Sequence, residues 1–199
     1  AFEAGLKVPA IVDPRTEPSG DLPDRARALG IRIMASSVIT KAKGGKAVDG
    51  AIIGNLTPAG RIGGATEIVK CDCIAMSGGW SPIVHLYSHC GGKLNWDEEA
   101  AMFRPAPERG APIGADGQIN TVCAGASNGA MSVSEGLADA IEVARQAATE
   151  VGMSVGNIAA ANIEEPVQGA LQPLWFAPSQ GKFAHGTKHF LDYQNDVTA

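Results

Sequence analysis

The sequence predicts an α/β protein, and three observations carry that reading. Residues 6–39 run strand, helix, strand, and residues 46–76 hold two more strand patterns joined by a Pro/Gly-rich turn. Residues 119–151 add a strand, a turn of small residues and a long amphipathic helix.

Taken in order, Ala1-Phe2-Glu3-Ala4 before Gly5 reads as the last turn of a helix. Leu6 to Asp13 is an apolar strand closed by an acid. Asp21-Leu22-Pro23-Asp24 opens a short helix with Asp21 as N-cap; Leu22, Ala26 and Leu29 share one face, and Gly30 stops it. Ile31 to Ile39 is the next strand. This is the middle of a βαβ dinucleotide-type unit. The glycine turn that begins such a unit belongs upstream, and Gly-x-Gly occurs nowhere in the 199 residues, so the expectation is an internal fragment.

Residues 46–56 and 65–76 read as strands, with 58–64 as the turn between them. Short antiparallel strands after a βαβ unit fit a nested two-dinucleotide-domain fold (FAD/NAD-binding, disulfide-reductase-like) with an antiparallel strand insertion. There Cys71 to Ser77, followed by Gly78-Gly79, return the chain to the outer domain. Residues 83–112 are weakly patterned, with Trp96 and Phe103 as apolar anchors. Asp116-Gly117 signals a hairpin turn, and Ile119 to Ala124 a buried strand. Val133 to Val151 is the clearest helix, with Val133, Leu137, Ile141, Ala144, Ala148 and Val151 on one face and Gly152 as its stop. Ser132-x-x-Glu135 matches a capping box. After Glu164-Glu165-Pro166 come Trp175, Phe176, Phe183, Phe190 and Tyr193, a shift in composition. The expected division is therefore 1–64, a partial inner βαβ unit with a strand meander; 65–155, the return segment of an outer dinucleotide-binding domain; and 156–199, a linker and the start of a further domain.

Composition narrows the function. Lys+Arg 16 against Asp+Glu 21 gives a net charge of −5, and no basic stripe stands ready for a phosphate backbone, so no nucleic-acid partner is expected. No apolar run reaches the roughly 18 residues of a membrane span. Four cysteines in a chain of this length make no disulfide framework, which points to the cytoplasm.

Strand, small-residue turn and helix at 119–151 form the best candidate site, because a helix start offers unpaired N–H groups and partial positive charge to a diphosphate. The alternative is a tight connection whose donors are satisfied by Ser132 and whose Glu135 repels anions. Asp13, at its strand end, could accept hydrogen bonds from a ribose diol, although Arg15 blurs that reading. Cys71-x-Cys73 reads as a pair of buried apolar-type cysteines on a strand rather than a redox pair. His85-x3-His89 with Cys90, and His185-x3-His189, have ligand-like spacing without a complete ligand set. No catalytic residue and no metal site is expected.

Cys71 to Pro82 (CDCIAMSGGWSP), Gly92 to Asp97 (GKLNWD) and Phe190 to Ala199 (FLDYQNDVTA) closely resemble the alpha subunits of heterotetrameric sarcosine oxidase. The resemblance runs in family order over nearly the whole chain. It implies an oxidoreductase that oxidises the N-methyl group of sarcosine to give glycine, hydrogen peroxide and formaldehyde, or methylene-tetrahydrofolate when folate is present. It further implies that FAD and FMN sit in the beta subunit, where the amine is oxidised. The alpha subunit would carry tightly bound NAD, assembled with beta, gamma and delta partners, and the folate site would lie outside these residues. Alone, the chain would be inactive. The NAD contacts implied for these residues fall on Gly125, Ala126, Met131 and Val133. Flavoproteins of this fold carry Asp where Ala126 stands, to hold the flavin ribityl chain, and alanine cannot accept that bond. At Val133 any contact is backbone or apolar. Three alternatives stand beside it: the alpha subunit of an opine or secondary-amine dehydrogenase, a catalytically silent nucleotide-binding scaffold, and an NADH-linked flavin reductase.

Overall fold

The computed structural model describes residues 2–156, 158–159, 162–167 and 172–174. Trp175, Phe176, Phe183, Phe190, Tyr193, His185 and His189 lie outside the described residues. The described chain forms two compact units, one up to Ser77 and one from Gly78 to Pro173.

The first unit opens with a single 3-10 turn, Phe2–Ala4. Strand β1 (Ile11–Val12), helix α1 (Asp21–Ala28) and strand β2 (Ile33–Met34) follow, and β1 and β2 pair in parallel, Ile11 opposite Ile33. The expected strand–helix–strand run is present with much shorter strands. Gly20, not Asp21, is the N-cap of α1, so Asp21 stands at the first helical position. Of the apolar face expected for α1, Ala26 is buried, whereas Leu22 is exposed.

The expected strand 31–39 divides in two. At Ser36 the backbone turns into the left-handed region (φ 47°), and the amides of Ser36 and Ser37 donate to the carbonyls of Arg15 and Asp13. The chain thereby leaves the parallel pair and enters a three-stranded antiparallel sheet of β3 (Ser37–Gly44), β4 (Val48–Leu56) and β5 (Ile62–Val69), in the order β3-β4-β5. The expected strand insertion is thus a full meander, one strand larger than the spacing indicates. Val38, Ala51 and Ile53 are its buried hydrophobic residues. Gly54 sits between Thr40 and Ile62, where a β-carbon would come within 2.8 Å of both side chains. Beyond Val69 the ladder stops, and Cys71 to Ser77 run as irregular chain rather than as a strand.

The second unit contains α2 (His85–His89), a hairpin of β6 (Leu94–Asp97) and β7 (Met102–Pro105), α3 (Pro107–Gly110) and α4 (Val133–Glu150). Trp96 and Phe103 are opposite one another in the hairpin and meet edge to face with centroids 5.0 Å apart, so the two expected anchors fasten to each other. Pro82, Tyr87, Gly92, Met102, Ala106 and Pro112 are the buried residues here. Asp116-Gly117 turns the chain as expected, closing a bridge between Ile113 and Ile119. Residues 119–124 do not continue as a buried strand. Beyond that bridge no neighbouring strand pairs with them among the described residues, and Ile119 and Val122 are exposed. An apolar run becomes a strand only when a partner completes its hydrogen bonds.

Helix α4 has the expected extent and ends: Ser132 caps it, Glu135 completes the capping box, and Gly152 (φ 77°) follows its last turn. Its inward face matches the one the spacing predicts only in part. Val133, Leu137, Ala144 and Val151 are exposed, whereas Ile141 and Ala148 join Gly136, Asp139, Ala140, Val143 and Ala147 as the less exposed residues. The reason is close approach. A β-carbon on Gly125 would lie 3.6 Å from the carbonyl oxygen of Gly136, so turn and helix meet through backbone and small residues.

Candidate functional site

Gly125 and Ala126 belong to a 3-10 turn, Gly125–Asn128, that precedes α4; Met131 lies between turn and helix, and Val133 is the first helical residue. The structure therefore places the four expected contacts on one continuous segment. The turn closes on itself, Gly129 N–H to Ala126 O at 3.1 Å and Ala130 N–H to Gly125 O at 3.1 Å. Gly129 is left-handed (φ 91°) and abuts the Arg104 guanidinium, where a β-carbon would come within 2.9 Å of Cζ. Only glycine satisfies both demands.

Two carboxylates organise this segment, and the spacing of the sequence singled out neither. Asp139, from the middle of α4, accepts from Gly125 N–H at 2.7 Å and from the Asn128 side-chain amide at 3.0 Å. It stands three residues after Gly136 on the small-residue side of the helix, the one available hint of its role. Glu165 accepts from Val133 N–H at 2.5 Å, from Ser134 N–H at 3.2 Å and from the Ser134 hydroxyl at 2.5 Å. The Ser134 hydroxyl bond, together with the two backbone donors, outweighs the desolvation that would raise it and holds the Glu165 carboxyl below the usual glutamate range. The amide of Glu135 is taken by Ser132 Oγ, and that of Gly136 by the Ser132 carbonyl.

Beside the turn lies a cavity of about 720 Å³ lined by Asp97, Glu99, Arg104, Met131, Glu135 and Asp139 among others. Met131 reaches it, while Gly125, Ala126 and Val133 are not in its lining. Arg104 Nε stands 2.9 Å from Asp97 Oδ2 as an ion pair without hydrogen-bond alignment. Four acids against one arginine make this lining electronegative. Small turn residues leave room for a diphosphate, but as arranged the site does not fit one: Gly125, Val133, Ser134, Glu135 and Gly136 all spend their amides on the protein's own oxygens.

Asp13, the other nucleotide candidate, is in the first unit and is bound to Arg15, with Nη2 at 2.7 Å, Nε at 3.0 Å and the backbone N–H at 2.9 Å. Burial pushes its carboxyl up, but the Arg15 hydrogen bonds and charge outweigh burial, so it sits below the ordinary range. The carboxylate is therefore a satisfied ion pair rather than one open to a ribose. A depressed folded value makes this pair stabilising above the unfolded aspartate pKa of about 3.9, with the contribution lost as pH falls through the folded value. Asp13→Asn is expected to lower stability by about 1 kcal/mol at pH 7. In urea unfolding series the gap between the two chains closes as pH is taken below about 4.

Cys71 is half-buried and Cys73 exposed, both as free thiols on irregular chain, so the expected buried strand pair is not formed. His85 and His89 lie on α2 with Cys90 exposed behind them. Among the described residues no group of three or more His, Cys, Asp or Glu side chains is arranged to hold a metal ion, and no helix is long and apolar enough to cross a membrane.

No family model matches the sequence. Curated proteins do. The chain is 34% identical over 196 residues to the sarcosine oxidase subunit alpha of Rhizobium meliloti (strain 1021), a match covering 98% of this chain and 17% of that protein. It is 30% identical over 197 residues to the sarcosine oxidase subunit alpha of Corynebacterium sp. (strain P-1), covering 96% of this chain and 19% of the relative. The subunit alpha from Corynebacterium sp. (strain U-96) is 30% identical over 173 residues, 85% of this chain and 17% of its own length. The chain thus spans less than a fifth of the relatives it matches. Related along most of its length to three sarcosine oxidase alpha subunits, it bears out the resemblance carried by its own motifs.

Proposed function

We propose that the chain is the NAD-binding part of a sarcosine oxidase alpha subunit, within a nested two-dinucleotide-domain fold divided at 1–64, 65–155 and 156–199. Gly125, Ala126, Met131 and Val133 contact the dinucleotide. In this reading the complex oxidises the N-methyl group of sarcosine to glycine, hydrogen peroxide and formaldehyde, or methylene-tetrahydrofolate. Amine oxidation takes place at FAD and FMN in the beta subunit, gamma and delta complete a cytoplasmic assembly, and folate binds elsewhere in the alpha subunit. The residues described here supply binding and no proton or electron transfer.

The observation that supports the reading is the match of 85% to 98% of this chain to a part of three alpha subunits. Its support in the site is Ala126: a side chain without an acceptor disfavours the ribityl chain of a flavin and leaves space beside the turn. The test is the nucleotide released when the purified complex is denatured. Wild type is expected to yield NAD in stoichiometric amount. Ala126→Asp, which sets a negative charge beside the diphosphate, is expected to lower occupancy at least tenfold, the equivalent of about 1.4 kcal/mol. A wild-type complex that releases flavin but no NAD after removal of beta overturns the reading.

A further inference from the structure

Cys71 and Cys73 are neither in a strand nor both buried. The β5 ladder ends at Val69, and the chain turns at Asp72, between the two cysteines. Cys73 and Asp72 are exposed and Cys71 is half-buried, so one sulfur meets solvent openly while the other is partly covered. A regular strand would hold α-carbons two residues apart at about 6.6–6.8 Å, the outer limit for a disulfide, whose usual span is about 5.5–6 Å. Here no ladder imposes that spacing. Among the described residues no backbone hydrogen bond is made to residues 71–77. With only Asp72 between the cysteines, a bond joining them closes a very short loop, at small entropic cost.

We propose that Cys71 and Cys73 form a thiol–disulfide exchange site whose substrate is a low-molecular-weight disulfide. The thiolate of exposed Cys73 attacks one sulfur of that disulfide; a mixed disulfide forms on Cys73, the substrate's S–S bond breaks and one small thiolate leaves. The Cys71 thiolate then attacks the Cys73 sulfur, making the Cys71–Cys73 bond and expelling the second small thiolate. Two electrons pass from the pair to the substrate, and the two protons given up by the cysteines end on the two thiols released. An excess of small thiol reverses both steps, so in a reducing compartment the bond is transient. The site uses no residue of the 125–128 turn or of α4, and it is independent of the NAD reading.

The experiment uses the purified complex, equilibrated in glutathione buffers from fully reduced to fully oxidised, then acid-quenched and alkylated at its remaining thiols. Cleavage between Trp80 and Cys90 isolates the pair for mass measurement. Wild type is expected to lose both alkylation sites together as the buffer becomes oxidising, giving a peptide lighter by two hydrogens that dithiothreitol restores. Cys71→Ser is expected to stop after the first step, with glutathione retained on Cys73, at a rate within about twofold of wild type. Cys73→Ser is expected to slow the first step by about tenfold or more, because the remaining thiol is partly covered. A wild-type peptide with glutathione on Cys73 and Cys71 still alkylated overturns the site. So do two fully alkylated cysteines in oxidised glutathione alone.

Discussion

Replacing Gly92 by alanine is expected to lower the unfolding free energy by about 3 kcal/mol, the upper end for overpacking a filled interior. The new β-carbon would fall 2.3, 2.4 and 2.7 Å from Cε1, Cδ1 and Cζ of Tyr87, well inside contact distance. Tyr87 cannot turn away, because it is only 3% exposed, and the Gly92 amide is tied to the Tyr87 carbonyl at 3.0 Å. Burial raises the Tyr87 hydroxyl above its ordinary pKa, with the nearby Cys123 and Glu108 adding to the shift, so ionisation gives the ring no way out. Gly45→Ala is the matched control, since nothing lies within 4 Å of its β-carbon and its φ is ordinary. That change is expected to stay within about 0.5 kcal/mol. Urea midpoints for the two variants decide the matter. A Tyr87→Leu background, which removes the obstructing ring edge, is expected to recover part of the Gly92→Ala loss, as residues in contact do in a double-mutant cycle.

Asp139→Ala carries the next largest effect, about 2 kcal/mol. It strands two donors at once, the Gly125 N–H and the Asn128 side-chain amide, both part-buried against the helix. The loss is local as well as global. Amide exchange at Gly125 is expected to rise by at least tenfold, because that N–H no longer has an acceptor. Asp139→Asn keeps one oxygen able to accept and is expected to cost about half as much. Unchanged Gly125 protection in Asp139→Ala would show that the turn is held by its own 3-10 bonds. Because Gly125 and Ala126 are in that turn, Asp139→Ala tests the shape of the proposed nucleotide site while leaving Gly125, Ala126, Met131 and Val133 in place.

Much of the architecture was legible where local chemistry decides it. Ser132, Glu135 and Gly152 mark both ends of α4 correctly, because capping depends on residues within a turn of the helix end. Asp116-Gly117 does the same for its turn. What local chemistry does not decide was read less well. Ile119 to Ala124 are as apolar as a strand, yet a strand is made by its neighbour, and the run alone is silent about one. The β6–β7 hairpin carries no turn signal, because its connection, Glu98 to Ala101, has no glycine or asparagine and instead places Ala101 at φ 47°. On α4, counting apolar residues finds Ile141 and Ala148 but misses Gly136 and Asp139, through which the turn approaches, and Val133 and Val151 are left outside. Of the site, the turn and helix start could be read from small residues and caps. Asp139 and Glu165 could not, because each acts across 11 to 32 residues of sequence.

The bond between Asp139 and Gly125 also bears on the order in which the molecule assembles. It closes a loop of only 14 residues, so its entropic cost is small and its formation need not wait for distant segments. Turn and helix together have the low contact order of fast-forming structure. As the chain leaves the ribosome, this piece is expected to set early and present a finished platform to whatever polypeptide arrives after it.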